Sequence, residues 1–132
     1  MSDLLPRPSE REIQRQLLDW MALALPYGSV VHHAANEAAG DPARSKRARA
    51  AYYANRHADG VLDGFPDLIV IVPPGKTVLL EVKKHNGRVS PEQVLLHQTI
   101  NAAGVPVAVV RSVEEASAVL AAQGIPLRQV RL

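Results

Sequence analysis

Gly64-Phe65-Pro66-Asp67-Leu68-Ile69-Val70-Ile71-Val72-Pro73-Pro74-Gly75-Lys76-Thr77-Val78-Leu79-Leu80-Glu81-Val82-Lys83 is the stretch on which the fold turns. Leu68 to Val72 is a continuous apolar run rich in β-branched residues, which reads as a buried strand. Pro73-Pro74-Gly75-Lys76 is a strong turn signal, and Val78 to Lys83 reads as the returning strand. The two form a hairpin and must therefore run antiparallel.

Downstream, the polar loop His85-Asn86-Gly87-Arg88 leads to Ser90-Pro91, an N-cap followed by proline at the first helical position, and Gly104 closes that helix. Val105 to Val110 reads as a strand. A strand–helix–strand unit of this kind predicts parallel pairing with the hairpin's second strand. Ser112-x-x-Glu115 caps a last helix ending at Gly124, and Leu127 to Val130 is read as a short final strand. Upstream, Ser9-x-x-Glu12 is a capping box. Ile13, Leu17, Leu18, Trp20, Met21 and Leu25 follow at helical spacing until Pro26-Tyr27-Gly28. Ser29 to His33 reads as a short strand, and Asp41-Pro42 as the start of a basic helical insertion over about 41–60 that Gly60 closes. The expected fold is α/β: a mixed β-sheet flanked by helices on both faces, in a single domain over 1–132.

Composition agrees. A chain of 132 residues fits one domain, and 47% hydrophobic content supports a core and excludes a disordered tail. Aromatics make up only 4%, so the core must be aliphatic. The absence of cysteine rules out a disulfide scaffold, a thiolate zinc site and a thiol nucleophile, and fits a reducing compartment. No apolar run approaches the ~20 residues of a membrane span, and the first residues lack a secretory pattern. No membrane association and a cytoplasmic location are therefore expected. The net charge of +2 permits a polyanionic partner without demanding one.

The informative chemistry lies in the hairpin. Asp67 begins a strand that is otherwise apolar, while Glu81 and Lys83 stand two apart and so share a face. A carboxylate near a core is costly unless it is paired or binds a cation. The tight turn brings Asp67 opposite or diagonal to Glu81. Two such carboxylates raise one another's pKa unless a divalent metal lies between them. Hard oxygen ligands suit Mg²⁺ or Mn²⁺ better than zinc, and a lysine beside them can orient a water or offset charge on a phosphate. Register decides whether this works. A four-residue turn pairing Val72 with Thr77 would set Asp67 opposite Val82, facing away from Glu81. An odd-numbered loop or a bulge beside Asp67 restores a common face, and one of the two is expected. The plainer reading makes Glu81 and Lys83 an exposed cross-strand ion pair and Asp67 a turn residue. Flanking apolar residues, which suggest that both strand faces are covered, and the tight Gly-x-Pro-Asp approach favour the first.

Gly64-Phe65-Pro66-Asp67-Leu68, then Leu80-Glu81-Val82-Lys83, then Ser90-Pro91-Glu92-Gln93 before a helix together resemble the VRR-NUC group of the PD-(D/E)XK nuclease superfamily. The likeness runs through nearly the whole chain and is greatest to small standalone phage and bacterial members. It implies a restriction-endonuclease-like fold and a Mg²⁺- or Mn²⁺-dependent DNA endonuclease, with a homodimer cleaving branched DNA such as four-way junctions. By the same resemblance Asp67 and Glu81 are the metal-binding carboxylates, with the backbone carbonyl of Val82 as a further ligand. Lys83 positions or activates the attacking water, and Gln93 completes the pocket. Gln93 is also the capping partner of Ser90, and the two roles are compatible. A first-helix acid is implied as well. Glu12 is already the partner of Ser9, which leaves Glu10 as the candidate. His32 and His33 are adjacent in a strand, point to opposite faces and cannot easily chelate one metal, while Asn36-Glu37 resembles a substrate-facing wall of the family. A non-catalytic DNA-binding subunit and an RNA-directed nuclease are the alternatives.

Arg44, Lys46, Arg47, Arg49 and Arg56, with His57 beside them, concentrate basic charge in one segment, and Lys84 adds another cation after the hairpin. Such a run is either a solvated helix face or a surface that neutralises phosphates regardless of sequence. With only Tyr52 and Tyr53 interleaved, backbone and shape readout of duplex or branched DNA fits better than base stacking.

Overall fold

The computed structural model describes residues 5–34 and 45–131. Its elements are α1 (Glu10–Ala24), β1 (Val30–His33), α2 (Lys46–Ala58), β2 (Leu68–Val72), β3 (Lys76–Val82), α3 (Pro91–Ala102), β4 (Val107–Val110) and α4 (Val113–Ala122). The strands form one sheet in the order β1-β2-β3-β4. β1–β2 and β2–β3 are antiparallel and β3–β4 is parallel, which is the mixed sheet expected from a hairpin followed by a strand–helix–strand unit.

The two-residue period of the strands separates two faces. Leu68, Val70 and Val72 of β2, Val78, Leu80 and Val82 of β3, and Val110 of β4 meet Ile13, Leu17, Trp20, Met21 and Ala24 of α1 and Ala116 and Leu120 of α4. This core is aliphatic apart from one tryptophan, as the composition requires. Ile69, Ile71, Leu79 and Glu81 look the other way. Leu79 and Glu81 are buried there, but Ile71 is 42% exposed. The second face is therefore closed at the Glu81 end, where α3 lies over the sheet, and open toward the hairpin turn.

Two expectations need correction. Residues 127–130 form no strand: the Arg128 amide donates to the Ala24 carbonyl at 2.9 Å, which ties the tail to the end of α1 instead of to the sheet. β4 starts at Val107, because the Val105 amide is still engaged with the Ile100 carbonyl of α3. In the described residues the basic helix α2 is capped by Ser45, whose Oγ accepts the Ala48 amide at 3.1 Å. Asn36, Glu37, Asp41, Pro42 and Arg44 lie outside the described residues.

The turn carries the register. Val72 pairs with Lys76, so the loop is the three residues Pro73-Pro74-Gly75. Gly75 has φ +111°, a backbone conformation that side chains other than glycine strain to adopt. Leu68 then pairs with Leu80, which leaves Asp67, one residue outside the ladder, level with Glu81. Of the two expected irregularities the chain uses the odd-numbered loop.

Candidate active site

Asp67 is delivered by the Gly64-Phe65-Pro66 approach. Gly64 has φ +82°, and a Cβ there would lie 3.0 Å from the Gln93 nitrogen and 3.1 Å from the Glu92 carbonyl carbon. The approach loop is thus pressed against the first turn of α3, where only glycine fits. Pro66 and Asp67 are buried. The Asp67 backbone carbonyl accepts the Ala34 amide at 2.8 Å, and its Oδ2 accepts the Val82 amide at 2.7 Å. One carboxylate is therefore bonded to the backbone of the strand that carries the other.

Glu81 is 1% exposed. Its Oε2 lies 3.9 Å from Lys83 Nζ and its Oε1 lies 3.5 Å from His97 Nε2. Burial, then a hydrogen bond and charge repulsion from Asp67, push the Glu81 carboxyl up to about 9. Lys83 opposes this shift, and Glu10 is near enough to add to it. The crowding therefore favours a proton retained on Glu81, as happens in a pair of close carboxyls with no cation between them. Among the described residues its Oε1 has no hydrogen-bond partner, and neither has His97 Nε2.

The other candidates fall around this centre to different degrees. The Lys83 side chain is only 11% exposed and faces Glu81. Gln93 forms the capping box: its Oε1 accepts the Ser90 amide at 2.9 Å and Ser90 Oγ accepts the Gln93 amide at 3.1 Å. Glu12 closes the equivalent box with Ser9, so of the two acids opening α1 it is Glu10 whose charge reaches Glu81. Val82 meets Asp67 through its amide. His32 and His33 pair with Ile69 and Leu68 and so point to opposite faces. His33 sits on the α1 side, beside Glu10 and Gln14.

The basic residues form a separate feature. No residue of α2 is buried, and Lys46, Arg47 and Arg49 are exposed. Arg56 is turned inward on its own helix, with Nη1 3.1 Å from Tyr52 Oη and its guanidinium 5.5 Å from that ring's centre. Lys84 is exposed just past β3, in a cleft of about 460 Å³ shared with Arg7 and Glu12.

His97 is the site residue that sequence reading did not single out. It has no motif of its own, and its only sequence signal is its position four residues after Gln93, one helical turn along the same face.

Chemically, the centre offers two adjacent carboxyls, the charge of a third within reach, and a lysine beside Glu81. Among the described residues no three His, Asp or Glu side chains converge closely enough to enclose a metal by themselves. Mg²⁺ does not require such a cage, since it commonly takes one or two carboxylates and completes its shell with water and phosphate oxygens. A buried carboxyl crowded by a second carboxyl fits a hard divalent cation.

The sequence model of the VRR-NUC domain family matches residues 9–114. Two solved structures share the fold. A VRR_NUC domain protein, 21% identical, covers 89% of this chain and 89% of its own, with a TM-score of 0.64. A VRR_NUC domain, 22% identical, covers 86% of this chain and 97% of its own, with a TM-score of 0.53. No curated protein matches the sequence. Among the described residues no helix is long and apolar enough to cross a membrane.

Proposed function

The chain belongs to the VRR-NUC domain family, and from that membership and the paired carboxyls we propose a Mg²⁺- or Mn²⁺-dependent deoxyribonuclease that acts on duplex or branched DNA, four-way junctions included, as a homodimer. The observation that carries this reading is Asp67 level with Glu81, with Lys83 Nζ 3.9 Å from Glu81 Oε2 at the same end of the sheet.

Asp67 and Glu81 would hold the ion, with Glu10 and the Val82 carbonyl available beside them. When bound, such an ion supplies Lewis-acid stabilisation to the phosphodiester and lowers the pKa of a water. Lys83 Nζ stands 3.9 Å from Glu81 Oε2, where its ammonium orients the attacking water and offsets charge developing on the phosphate. Gln93, with Oε1 engaged at the helix cap, has its amide NH₂ left to donate to substrate. Lys46, Arg47, Arg49 and Lys84 are exposed cations suited to backbone phosphates, and Arg44 joins them in sequence. Arg56 contributes through the Tyr52 ring it braces. Two such sites related by a two-fold axis suit cutting paired strands.

The test compares junction, flap and linear duplex DNA with RNA of equal length, each with Mg²⁺, Mn²⁺ or EDTA. DNA is cut with either ion and spared in EDTA, and Lys83→Ala loses about 100-fold or more of the rate while still binding DNA. Equal cutting by wild type and Lys83→Ala sinks the mechanism. Cutting of RNA alone moves the substrate class, and binding without any cutting makes the chain a non-catalytic DNA-binding subunit.

A further inference from the structure

Helix α3 is oriented against its own hydrophobicity. Val94 is 41% exposed and Leu95 is 65% exposed, yet the helix has a single buried residue, His97. Its orientation is set at the N-terminus by the Ser90–Gln93 capping box and by the contact with Gly64. The consequence is that an imidazole replaces an aliphatic side chain above Glu81. Of four buried polar atoms without a partner among the described residues, two are His97 Nε2 and Glu81 Oε1, and they face one another at 3.5 Å. That is about 0.5 Å beyond an ordinary N–H···O contact, so a small rotation of either side chain pairs both atoms.

We infer that His97 is a positioning residue: its Nε2–H donates to Glu81 Oε1 and fixes the carboxyl rotation that presents Oε2 toward Lys83. This rests on the nuclease reading for its purpose but on geometry alone for the bond. The two oxygens of Glu81 already have distinct neighbours, His97 at Oε1 and Lys83 at Oε2. A carboxyl free to rotate about its last bond would exchange them, and a misaligned ligand costs both ion affinity and alignment of the water. A neutral imidazole carries its proton on one ring nitrogen and accepts at the other. Which nitrogen it is decides the proposal.

Long-range proton–nitrogen correlation on the metal-free wild-type protein at pH 7 reads the tautomer directly. Protonation at Nε2 is expected, and protonation at Nδ1 overturns the proposal. The companion experiment titrates Mn²⁺ into wild type, His97→Gln and His97→Leu by calorimetry without DNA. Gln can place an N–H where Nε2 stands, whereas Leu fills the space without a donor. His97→Leu weakens Mn²⁺ binding by about 10- to 100-fold and His97→Gln restores most of it, in step with cleavage at saturating DNA. A folded His97→Leu that binds Mn²⁺ as wild type does overturns the proposal. If wild type itself binds no Mn²⁺, the nuclease reading falls, and the tautomer alone still supports or overturns the His97–Glu81 bond.

Discussion

The Val82 amide donates to Asp67 Oδ2 across 2.7 Å, fifteen positions apart in sequence and buried on both sides. β2 begins only at Leu68, and Asp67 is held by two bonds: its backbone carbonyl takes the Ala34 amide and its carboxyl takes the Val82 amide. The Val82 bond sets the carboxyl beside Glu81, whose own shift is driven in part by that proximity. Structural and chemical duties thus converge on one side chain, and they can be separated by substitution.

Asp67→Asn keeps an oxygen to accept the Val82 amide while removing the charge and the crowding. It should abolish cleavage yet leave folding stability within about 1 kcal/mol of wild type, because the buried hydrogen bond survives. Asp67→Ala leaves the Val82 amide buried and unpaired, at a loss of about 1–3 kcal/mol. Urea denaturation of the three proteins in EDTA decides it. Equal stability of the Ala and Asn variants would show that the Val82 bond does not hold the strand start.

Gly64→Ala tests the approach loop. The added methyl must enter a gap of 3.0 Å against the backbone of α3, and the residue must hold φ +82°. Overpacking and left-handed strain together predict a loss of about 2–4 kcal/mol. Cleavage should fall with it at temperatures where the variant is still folded, since Asp67 is displaced from Glu81. A variant that melts like wild type would mean the loop moves away from α3 at no cost.

Much of this arrangement was legible from local chemistry. The capping pairs Ser9–Glu12 and Ser90–Gln93 appear as read, since each needs only residues three apart. The hairpin was legible in the Pro73-Pro74-Gly75 turn, and the demand that Asp67 and Glu81 share a face left an odd-numbered loop or a bulge, of which the chain uses the loop. Contacts between distant segments were not legible. Nothing within residues 127–130 announces that the Arg128 amide is taken by Ala24, so an apolar tail looked like a strand. His97 was passed over because its meaning lies in the partner it meets across the sheet, and α3 carries no helical stripe that would mark its inner face.

The basic face of α2 has its own test. Lys46, Arg47 and Arg49 are exposed, so replacing Arg47 and Arg49 by alanine should not disturb the fold. If both arginines meet phosphates, the slope of log affinity against log salt shrinks by about 1.8, and affinity falls similarly for every duplex sequence. Fluorescence anisotropy in Ca²⁺ between 50 and 200 mM salt (about the range where the term is large) measures both. An unchanged slope would leave α2 as ordinary solvated surface.

Glu81 gives the last prediction a definite sign. Its folded pKa is raised to about 9 from an ordinary value of 4.5, chiefly by burial. Between those values the unfolded chain has released the proton while the folded chain keeps it. The folded state binds more protons, so stability of the metal-free protein must fall as pH rises, by up to about 1.4 kcal/mol per unit. His97 works in the opposite direction, but only below its ordinary value of 6.5, so the range from pH 7 to 9 isolates Glu81. Glu81→Gln removes the ionisable group and should flatten the profile, exceeding wild-type stability by the largest margin at pH 9. Denaturation in EDTA at pH 7, 8 and 9 checks both. With Mn²⁺ the trend should reverse: an ion binding the carboxylate displaces the proton, so its stabilising effect grows with pH. A wild-type profile in EDTA that is level with that of Glu81→Gln would mean Glu81 is already ionised without the ion, and that the crowding of the two carboxyls is relieved by something other than a shared proton.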